Sequence, residues 1–265
     1  PPLRIVSTAP SITEMLYALG LGDRVVGVTS FCRYPPEAAA KPKIGNYLRP
    51  DVEAVLALKP DLVIAEKSMI RQALSLPDLK LRLLEVDDAS LDGIFDSIRR
   101  IARAAGVESR AGPLCSSIES NLESVRRRTA PLPPVRVLFI VGRTPGRIEG
   151  LIAAGGSSYI GELLRIAGGR NILEETTVAY AKVGLEEVLA RDPEVIIDMG
   201  EMVQTTGVSE RRKEEVEALW RRYPSLKAVR HNRVHAVASD VFVVPGPRVA
   251  EAARRLADLL HPEAR

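Results

Sequence analysis

The sequence is short of the residues that build metal and redox centres. Among 265 residues it has 3 histidines and 2 cysteines, whereas bare zinc or manganese ions need clustered nitrogen, sulfur and carboxylate ligands. The histidines, His231, His235 and His261, all lie late in the chain. We therefore expect no metal site that draws ligands from both halves of the chain, and we expect the histidines at the surface or at strand ends.

The two cysteines, Cys32 and Cys115, stand far apart in the sequence and in unlike contexts. A disulfide between them in an oxidising compartment remains an alternative. Because a free cysteine behaves as a small hydrophobic residue, we expect two free, partly buried thiols.

The sequence also lacks an apolar run of about 18 residues, the length that a membrane-spanning helix needs. It has no charged segment followed by an apolar leader, and it begins at Pro1-Pro2 without a methionine. A trimmed chain and a mature secreted chain both begin in this way, and the two alternatives stay open.

No charge of one sign dominates, since 37 basic residues stand against 34 acidic ones. The basic triplets 126–128 and 211–213 lie beside glutamates in helix-like segments, so we expect no nucleic-acid partner.

The absence of a GxGxxG after a strand, a Walker loop, a CxxC and a GxSxG argues against an enzyme. The Gly-Gly-Ser-Ser run at 155–158 leaves a nucleotide-dependent enzyme as a weaker alternative, because a glycine-rich turn before a helix can hold phosphate.

The stretch 108–129 carries the pattern around which the chain is arranged. Its small and apolar residues recur at intervals of three, four and seven, which predicts one face of an amphipathic helix: Ala111, Leu114, Cys115, Ile118, Leu122, Val125 and Thr129. Gly112-Pro113 marks either the first turn of this helix or a bend in it. We predict an N-terminal lobe at 1–107, a connecting helix at 108–130 and a C-terminal lobe at 131–265.

Strand-like and helix-like segments alternate on both sides of this helix, which is typical of a helix-covered parallel sheet. Ser11 followed by Glu14 predicts a capping box at the first helix. The segment 52–65 aligns without gaps on 185–198, 12–20 aligns on 160–168, and 81–105 resembles 234–260. Three matches in the same order favour a repeated unit over chance likeness. The predicted fold is α/β, with two Rossmann-like lobes, each built on a central parallel sheet, joined by a single long α-helix.

In such sheets ligands bind outside the carboxyl ends of the strands. The loops predicted at those ends carry much of the small aromatic supply of the chain, together with several charged residues. The candidate ligand-binding residues are Phe31, Asn46, Tyr47, Glu66, Arg143, Tyr180, Phe242 and Arg248. For the aromatic residues the alternative is packing on their own lobe, and for each arginine it is an exposed surface position. Glu66 is either an acceptor facing the ligand or half of a local ion pair with Lys67 or Arg71.

The stretch 4–65, together with SSYIGELLRIAGGRNI, LEEVLARDPEVII and SDVFVVPGPR, resembles the helical-backbone substrate-binding proteins of ABC importers. This group includes the periplasmic cobalamin-, ferric-siderophore- and haem-binding proteins. The resemblance covers nearly the whole chain. It implies two lobes bridged by one helix, a ligand held between them, and no catalysis.

The cobalamin-binding branch is the most similar, and its aromatic ligand contacts carry over to Phe31, Tyr47, Tyr180 and Phe242. One departure concerns Glu66-Lys67, because the cobalamin binder has a tryptophan after the matching strand. Haem binders of the family use tyrosine ligation. The resemblance therefore implies a corrinoid first, with a ferric siderophore or haem as the alternative.

The resemblance also implies an ABC importer permease as the protein partner, which docks an acidic residue of each lobe in arginine pockets. The second-lobe candidates are Glu201, Glu210 and Glu214; the alternative is an ordinary solvated helix face. We expect a monomer without a cofactor of its own, whose bound ligand itself carries cobalt or iron. Its expected place is the periplasm or another extracytoplasmic compartment, with a lipid anchor before Pro1 as an open alternative.

Overall fold

A computed structural model describes residues 2–46, 49–67, 82–200 and 210–264. The chain divides into two compact units. The first comprises Pro1–Glu119 with Val244–Pro247, and the second comprises Ser120–Val243 with Arg248–Arg265.

The first unit is built on a parallel sheet that, in the described part of the chain, has 4 strands in the order β2-β1-β3-β4. The strands are β1 (Ile5–Ser7), β2 (Val25–Gly27), β3 (Leu62–Glu66) and β4 (Leu83–Val86). All three residues of β1 and the first four of β3 are buried. Strands covered on both faces read as continuous apolar runs, which is why these two stood out in the sequence.

The helices of the first unit include α1 (Pro10–Ala18), α2 (Pro36–Ala39), α3 (Val52–Ala57) and α4 (Leu91–Ala104). The predicted capping box is wrong. Helix α1 begins at Pro10 with Ala9 as its N-cap and no side-chain cap, because proline at the first helical position needs no partner for a missing N–H. Ser11 is thereby inside the first turn, and its hydroxyl is directed elsewhere.

The second unit has a mixed sheet of 6 strands among the described residues, in the order β10-β9-β5-β6-β8, with β7 paired to β5. The strands are β5 (Val135–Gly142), β6 (Leu151–Ala154), β7 (Gly169–Asn171), β8 (Tyr180–Val183), β9 (Val195–Asp198) and β10 (Val234–Ala236). β5, β7, β9 and β10 run parallel, whereas β6 is antiparallel to both β5 and β8. The pattern of alternating elements did not predict this antiparallel part.

The connecting helix α5 spans Ala111–Thr129 after a 3₁₀ turn at Glu108–Arg110. Gly112-Pro113 therefore lies in its first turn and is not a bend. Of the predicted stripe, Leu114 is partly exposed and the other six residues are buried. The boundary between the two units falls inside this helix, between Glu119 and Ser120.

The remaining helices belong to the second unit. They are α6 (Tyr159–Ile166), α7 (Leu185–Arg191), α8 (Glu210–Trp220), α9 (Lys227–Arg230) and α10 (Val249–Leu260). Helix α6 has a true N-cap, since Ser158 Oγ accepts a hydrogen bond from the Gly161 amide at 3.0 Å. A serine cap of this kind satisfies one of the free amides at a helix start.

The internal repeat extends to unusual backbone angles. Lys59 and Asp192 occupy the same aligned position before a proline, and both have positive φ angles, 46° and 43°. Gly20 and Gly168, each two residues after the last residue of α1 and α6, likewise have positive φ angles of 70° and 77°. Left-handed backbone is costly for residues with a Cβ, so its recurrence at Lys59 and Asp192 supports a repeat of structure and not only of composition.

The α/β fold class predicted from the sequence is confirmed, with one parallel and one mixed sheet covered by helices. Within the described residues, none of the helices is both long and apolar enough to cross a membrane.

Candidate functional site

The carboxyl ends of β1 to β4 share one edge of the first sheet, because the four strands are parallel. The residues that follow them include the start of α1, the turn at 29–33, Glu66, and the Asp87-Asp88 pair. This is the edge at which open parallel sheets bind ligands. We call these residues the first-unit edge.

The turn after β2 holds Phe31 in an exposed position. Phe31 is 43% exposed, whereas the neighbouring Cys32 is 1% exposed. The Cys32 sulfur accepts a hydrogen bond from the Thr13 hydroxyl at 3.1 Å and lies 3.2 Å from the Thr29 hydroxyl. Burial raises the pKa of the Cys32 thiol, which keeps it protonated. The cysteine therefore anchors the turn, and Phe31 remains available on its surface.

Both cysteines are free and buried, which confirms the prediction of unpaired thiols.

Asn46 is exposed, and its Oδ1 accepts a hydrogen bond from the Arg49 amide at 2.7 Å. Tyr47, another predicted ligand-binding residue, lies outside the described residues.

Glu66, the last residue of β3, is partly exposed and belongs to a small polar cluster. Ser11 Oγ donates a hydrogen bond to Glu66 Oε1 at 3.3 Å. Asp88, which is 8% exposed, lies within hydrogen-bonding reach of both side chains. Burial, together with the charge of Glu66, raises the pKa of Asp88 to about 7 against the influence of the Ser11 hydroxyl. The two predicted roles of Glu66, an acceptor facing the ligand or half of an ion pair with Lys67 or Arg71, did not include Asp88, which sequence reasoning missed.

The second unit has a buried charge network at the end of β9. Arg143 Nε lies 3.0 and 3.3 Å from the two carboxylate oxygens of Asp198, and the two side chains are 2% and 0% exposed. Trp220 Nε1 and the Gly200 amide also donate to Asp198, at 2.8 and 2.6 Å. The predicted roles of Arg143 were a ligand clamp or a surface arginine. Its position is explained by neither, because the guanidinium is buried against Asp198.

Arg143 also fixes the loop that follows β5. Its Nη1 donates to the backbone oxygens of Thr144 and Arg147, each at 3.3 Å. The buried pair therefore ties that loop to the end of β9. Neither Asp198 nor Trp220 was among the predicted site residues, although an acidic residue at the end of an apolar strand was visible in the sequence.

Phe242 is buried, at 4% exposed, in a 3₁₀ turn (Asp240–Phe242) of the second unit. Its ring packs edge-on against Phe139 with 6.0 Å between the centroids. The Tyr159 hydroxyl donates to the Phe242 carbonyl at 2.8 Å. These contacts correspond to the alternative of packing on its own lobe.

Arg248, just before α10, forms a 3.2 Å ion pair with Asp240. Tyr180 opens β8 and is 46% exposed beside Val178, which is 52% exposed. Tyr180 and Val178 thus give the second unit an exposed apolar surface, while Arg248 is held by a local carboxylate.

The Gly-Gly-Ser-Ser run at 155–158 is explained by packing. A Cβ on Gly155 would lie 2.2 Å from the Val178 carbonyl oxygen, and a Cβ on Gly156 would lie 2.0 Å from that of Glu174. Only glycine fits such a close approach of two backbones. Since Ser158 already caps the helix that follows, the run has a structural role that needs no phosphate.

Glu210 and Glu214 lie on α8 with exposed side chains, and Glu210 pairs with Lys213 at 2.6 Å. Glu201, the third candidate for docking, lies outside the described residues.

No three metal-ligating side chains gather closely enough to hold an ion within the ranges that the structure describes. Of the histidines, His231 is exposed and His235 and His261 are partly exposed.

Comparison with known proteins gives a consistent result. A family model described as periplasmic binding protein matches residues 5–241. An uncharacterized ABC transporter substrate-binding lipoprotein of Bacillus subtilis, YvrC, is 33% identical over 270 residues, which cover 99% of this chain and 81% of that protein.

Two solved structures are similar over nearly the full length. The periplasmic vitamin B12 binding protein of Vibrio cholerae has a TM-score of 0.80 at 27% identity, covering 99% of this chain and 98% of that one. The periplasmic heme-binding protein of Roseiflexus sp. RS-1, in its apo form, has a TM-score of 0.80 at 27% identity, covering 100% of both chains.

Proposed function

The chain belongs to the periplasmic binding protein family, and we propose that it is an extracytoplasmic receptor that binds a metal chelate and delivers it to an ABC importer permease. The observation that carries this proposal is the near full-length match to binding proteins named for vitamin B12 and for heme. Both ligands are planar macrocycles around a metal. The cobalt or iron would enter as part of the cargo.

A corrinoid is the first choice of ligand, and a ferric siderophore or haem is the alternative. Each unit exposes an aromatic side chain that suits a large flat ligand, Phe31 in the first and Tyr180 in the second. Aromatic rings bury a large apolar area in contact with such a ligand and lose little conformational freedom. Phe242 is left out of this set because its ring is already packed.

We propose a binding role without catalysis. The similar proteins are solute-binding components of transport systems, and the glycine-rich run that might have held a nucleotide is accounted for by backbone packing and capping.

The partner proposed for α8 is the permease. Exposed carboxylates at Glu210 and Glu214 suit arginine side chains, which bind carboxylates through two parallel hydrogen bonds. The pairing of Glu210 with Lys213 costs little to break, since an exposed pair contributes about 0.2 to 1 kcal/mol.

Calorimetric titration of the purified protein with cobalamin, cobinamide, haemin and several ferric siderophores tests the proposal. We expect one of these chelates to bind with a dissociation constant of about 1 μM or below, which corresponds to roughly −8 kcal/mol. Nucleotides serve as the control and should give no heat. Absence of binding by every chelate, or binding of nucleotides alone, would rule out the receptor function.

A further inference from the structure

The turn that carries Phe31 rests on a buried group of small polar side chains. Ser7, at the end of β1, lies 2.8 Å from the Thr13 hydroxyl of α1, which donates a hydrogen bond to the Cys32 sulfur at 3.1 Å. The Cys32 sulfur in turn lies 3.2 Å from the hydroxyl of Thr29, which follows β2. All four residues are at most 1% exposed. We call these four residues the hydroxyl–thiol cluster.

Residues 29–32 form a four-residue turn, which is closed by a hydrogen bond from the Cys32 amide to the Thr29 carbonyl at 3.1 Å. The side chains at its two ends, Thr29 and Cys32, contact each other in the interior of the unit. Its two middle residues, Ser30 and Phe31, are exposed. Since both ends of the turn are held inside the unit, the orientation of the exposed Phe31 side chain depends on these buried contacts.

The Thr13 hydroxyl is engaged both as a donor and as an acceptor. A hydroxyl has one proton to donate, and Thr13 donates its proton to the Cys32 sulfur. The proton in the contact between Ser7 and Thr13 therefore comes from Ser7, whose hydroxyl also reaches the Ala9 carbonyl at 3.0 Å. A buried polar group that loses its partner pays a desolvation penalty. Removal of one hydroxyl thus disturbs its neighbours in the cluster as well as its own position.

We propose that Thr13 and Thr29 are positioning residues for chelate binding, which act through Cys32 on the turn that presents Phe31. Both threonines are 0% exposed, so they act without touching the ligand. They set the fraction of molecules in which the Phe31 ring has the orientation that binds, and the apparent affinity for a ligand falls in proportion to that fraction. The inference rests on the proposed function, in which the exposed Phe31 ring contacts a bound chelate.

Two substitutions at each threonine separate the hydroxyl from the shape of the side chain. Thr29→Val and Thr13→Val keep the branched shape and remove the hydroxyl, and titration with cobalamin, cobinamide and haemin measures their affinity. The chelate that the wild type binds most tightly should bind about three- to tenfold more weakly, the effect of losing one buried hydrogen bond. Thr29→Ser and Thr13→Ser keep the hydroxyl and should stay within about twofold of the wild type. A role in packing alone would reverse this order, because valine preserves the packed volume.

Thr8→Val is the matched control for the valine variants. Thr8 is 1% exposed, and its hydroxyl donates to the Ile64 carbonyl at 3.1 Å. The substitution therefore removes an equally buried hydrogen bond from the same unit, but this bond leads to β3 and lies outside the hydroxyl–thiol cluster. Thr8→Val should lower the stability to a similar extent as Thr29→Val, while its affinity for the chelate stays at the wild-type value.

A double-mutant cycle with Phe31→Ala identifies the route of the effect. Because Thr29 acts through the Phe31 ring, Thr29→Val should change the affinity by less than about twofold in the Phe31→Ala background. ¹⁹F NMR of the protein labelled with 4-fluorophenylalanine gives a second readout, which needs no ligand. The Phe31 resonance, assigned with Phe31→Leu, should shift or broaden in Thr29→Val and Thr13→Val and remain unchanged in Thr8→Val.

The outcomes separate the two proposals. If the wild type binds no chelate, the receptor function fails and the positioning role fails with it. If the wild type binds a chelate but the valine variants bind it as tightly as the serine variants do, only the positioning role is overturned. The same holds if the effect of Thr29→Val persists in the Phe31→Ala background, or if the Phe31 resonance is unchanged in both valine variants.

Discussion

β3 and β9 occupy matching places in the internal repeat, and each ends in an acidic residue, Glu66 in the first unit and Asp198 in the second. Asp198 accepts hydrogen bonds from a guanidinium, an indole and a backbone amide. Glu66 instead faces a second acid, Asp88. One strand end is thus part of a closed structural network, while the other lies beside Asp88, whose pKa is raised by burial.

The aromatic residues show the same contrast. Phe31 and Phe242 both follow a strand at a predicted ligand-facing loop, yet Phe31 is 43% exposed and Phe242 is 4% exposed. Phe242 has Phe139 as a packing partner, whereas the anchoring role in the Phe31 turn falls to Cys32. Loops that look alike in the sequence therefore differ in which residue is buried.

The largest expected effect on stability comes from breaking the buried ion pair between Arg143 and Asp198 in the second unit. Arg143→Met leaves the buried Asp198 carboxylate without its cation, and we expect a loss of about 3 to 5 kcal/mol in the free energy of unfolding. Urea denaturation followed by Trp220 fluorescence measures it. Arg147→Met is the control, because Arg147 is exposed and its 3.7 Å pair with Glu149 is also exposed; it should cost less than about 1 kcal/mol.

A double variant sharpens this result. Arg143→Met combined with Asp198→Asn removes both charges, and it should recover part of the lost stability because no uncompensated charge remains. A loss below about 1 kcal/mol for Arg143→Met alone would show that Asp198 is not held by the guanidinium.

The packing of Phe242 should rank next. Phe242→Ala deletes a ring that packs on Phe139, and we expect a loss of about 3 kcal/mol from lost apolar burial and the resulting cavity. Phe242→Leu keeps most of the volume and should cost about 1.5 kcal/mol or less. Equal losses for the two variants, measured by chemical denaturation, would contradict a packing role.

The acid pair should produce a pH-dependent effect of intermediate size. Because the folded-state pKa of Asp88 is raised from 3.8 to about 7, the folded state binds more protons than the unfolded state between these values. The stability therefore falls as the pH rises from about 4 to about 7, and it is level above. Asp88→Asn removes this fall. Between pH 4 and pH 8, the free energy of unfolding of the variant should therefore increase by about 1 to 3 kcal/mol relative to that of the wild type.

Denaturation curves at pH 4, 6 and 8 for the wild type, Asp88→Asn and Glu85→Gln measure the difference. Glu85→Gln removes an exposed carboxylate from β4 and should follow the wild-type slope. A wild-type stability that rises with pH relative to Asp88→Asn would mean that Asp88 is ionised throughout.

The features that were predicted correctly from the sequence are those that depend on the local spacing of apolar residues. The stripe on α5 and the alternation of strands and helices follow from apolar spacing, so they could be read without coordinates. Strand direction cannot be predicted in this way, because the apolar composition of β6 and β8 would suit a parallel sheet equally well. Their antiparallel pairing depends on the path of the loops.

The polar contacts were mostly beyond the sequence because they join residues that are distant along the chain. Ser11 was predicted to cap its own helix, but Pro10 moves the helix start and the hydroxyl reaches Glu66. Asp88 was missed for the same reason, since its importance lies in a contact between two strand ends. The doublet Asp87-Asp88 at the end of a strand was the one local hint.

The smallest expected change in stability belongs to the exposed aromatic residue of the first unit. Phe31→Ala should alter the free energy of unfolding by no more than about 0.5 kcal/mol, because an exposed side chain contributes little to the core. The same variant should weaken chelate binding several-fold if the ring contacts the ligand. Cys32→Ser is the companion variant, since it disturbs the buried anchor beneath the turn and should lower stability more than Phe31→Ala does. If Phe31→Ala destabilised the protein as strongly as Phe242→Ala, the two aromatic residues would have the same packing role and the contrast between the units would be lost.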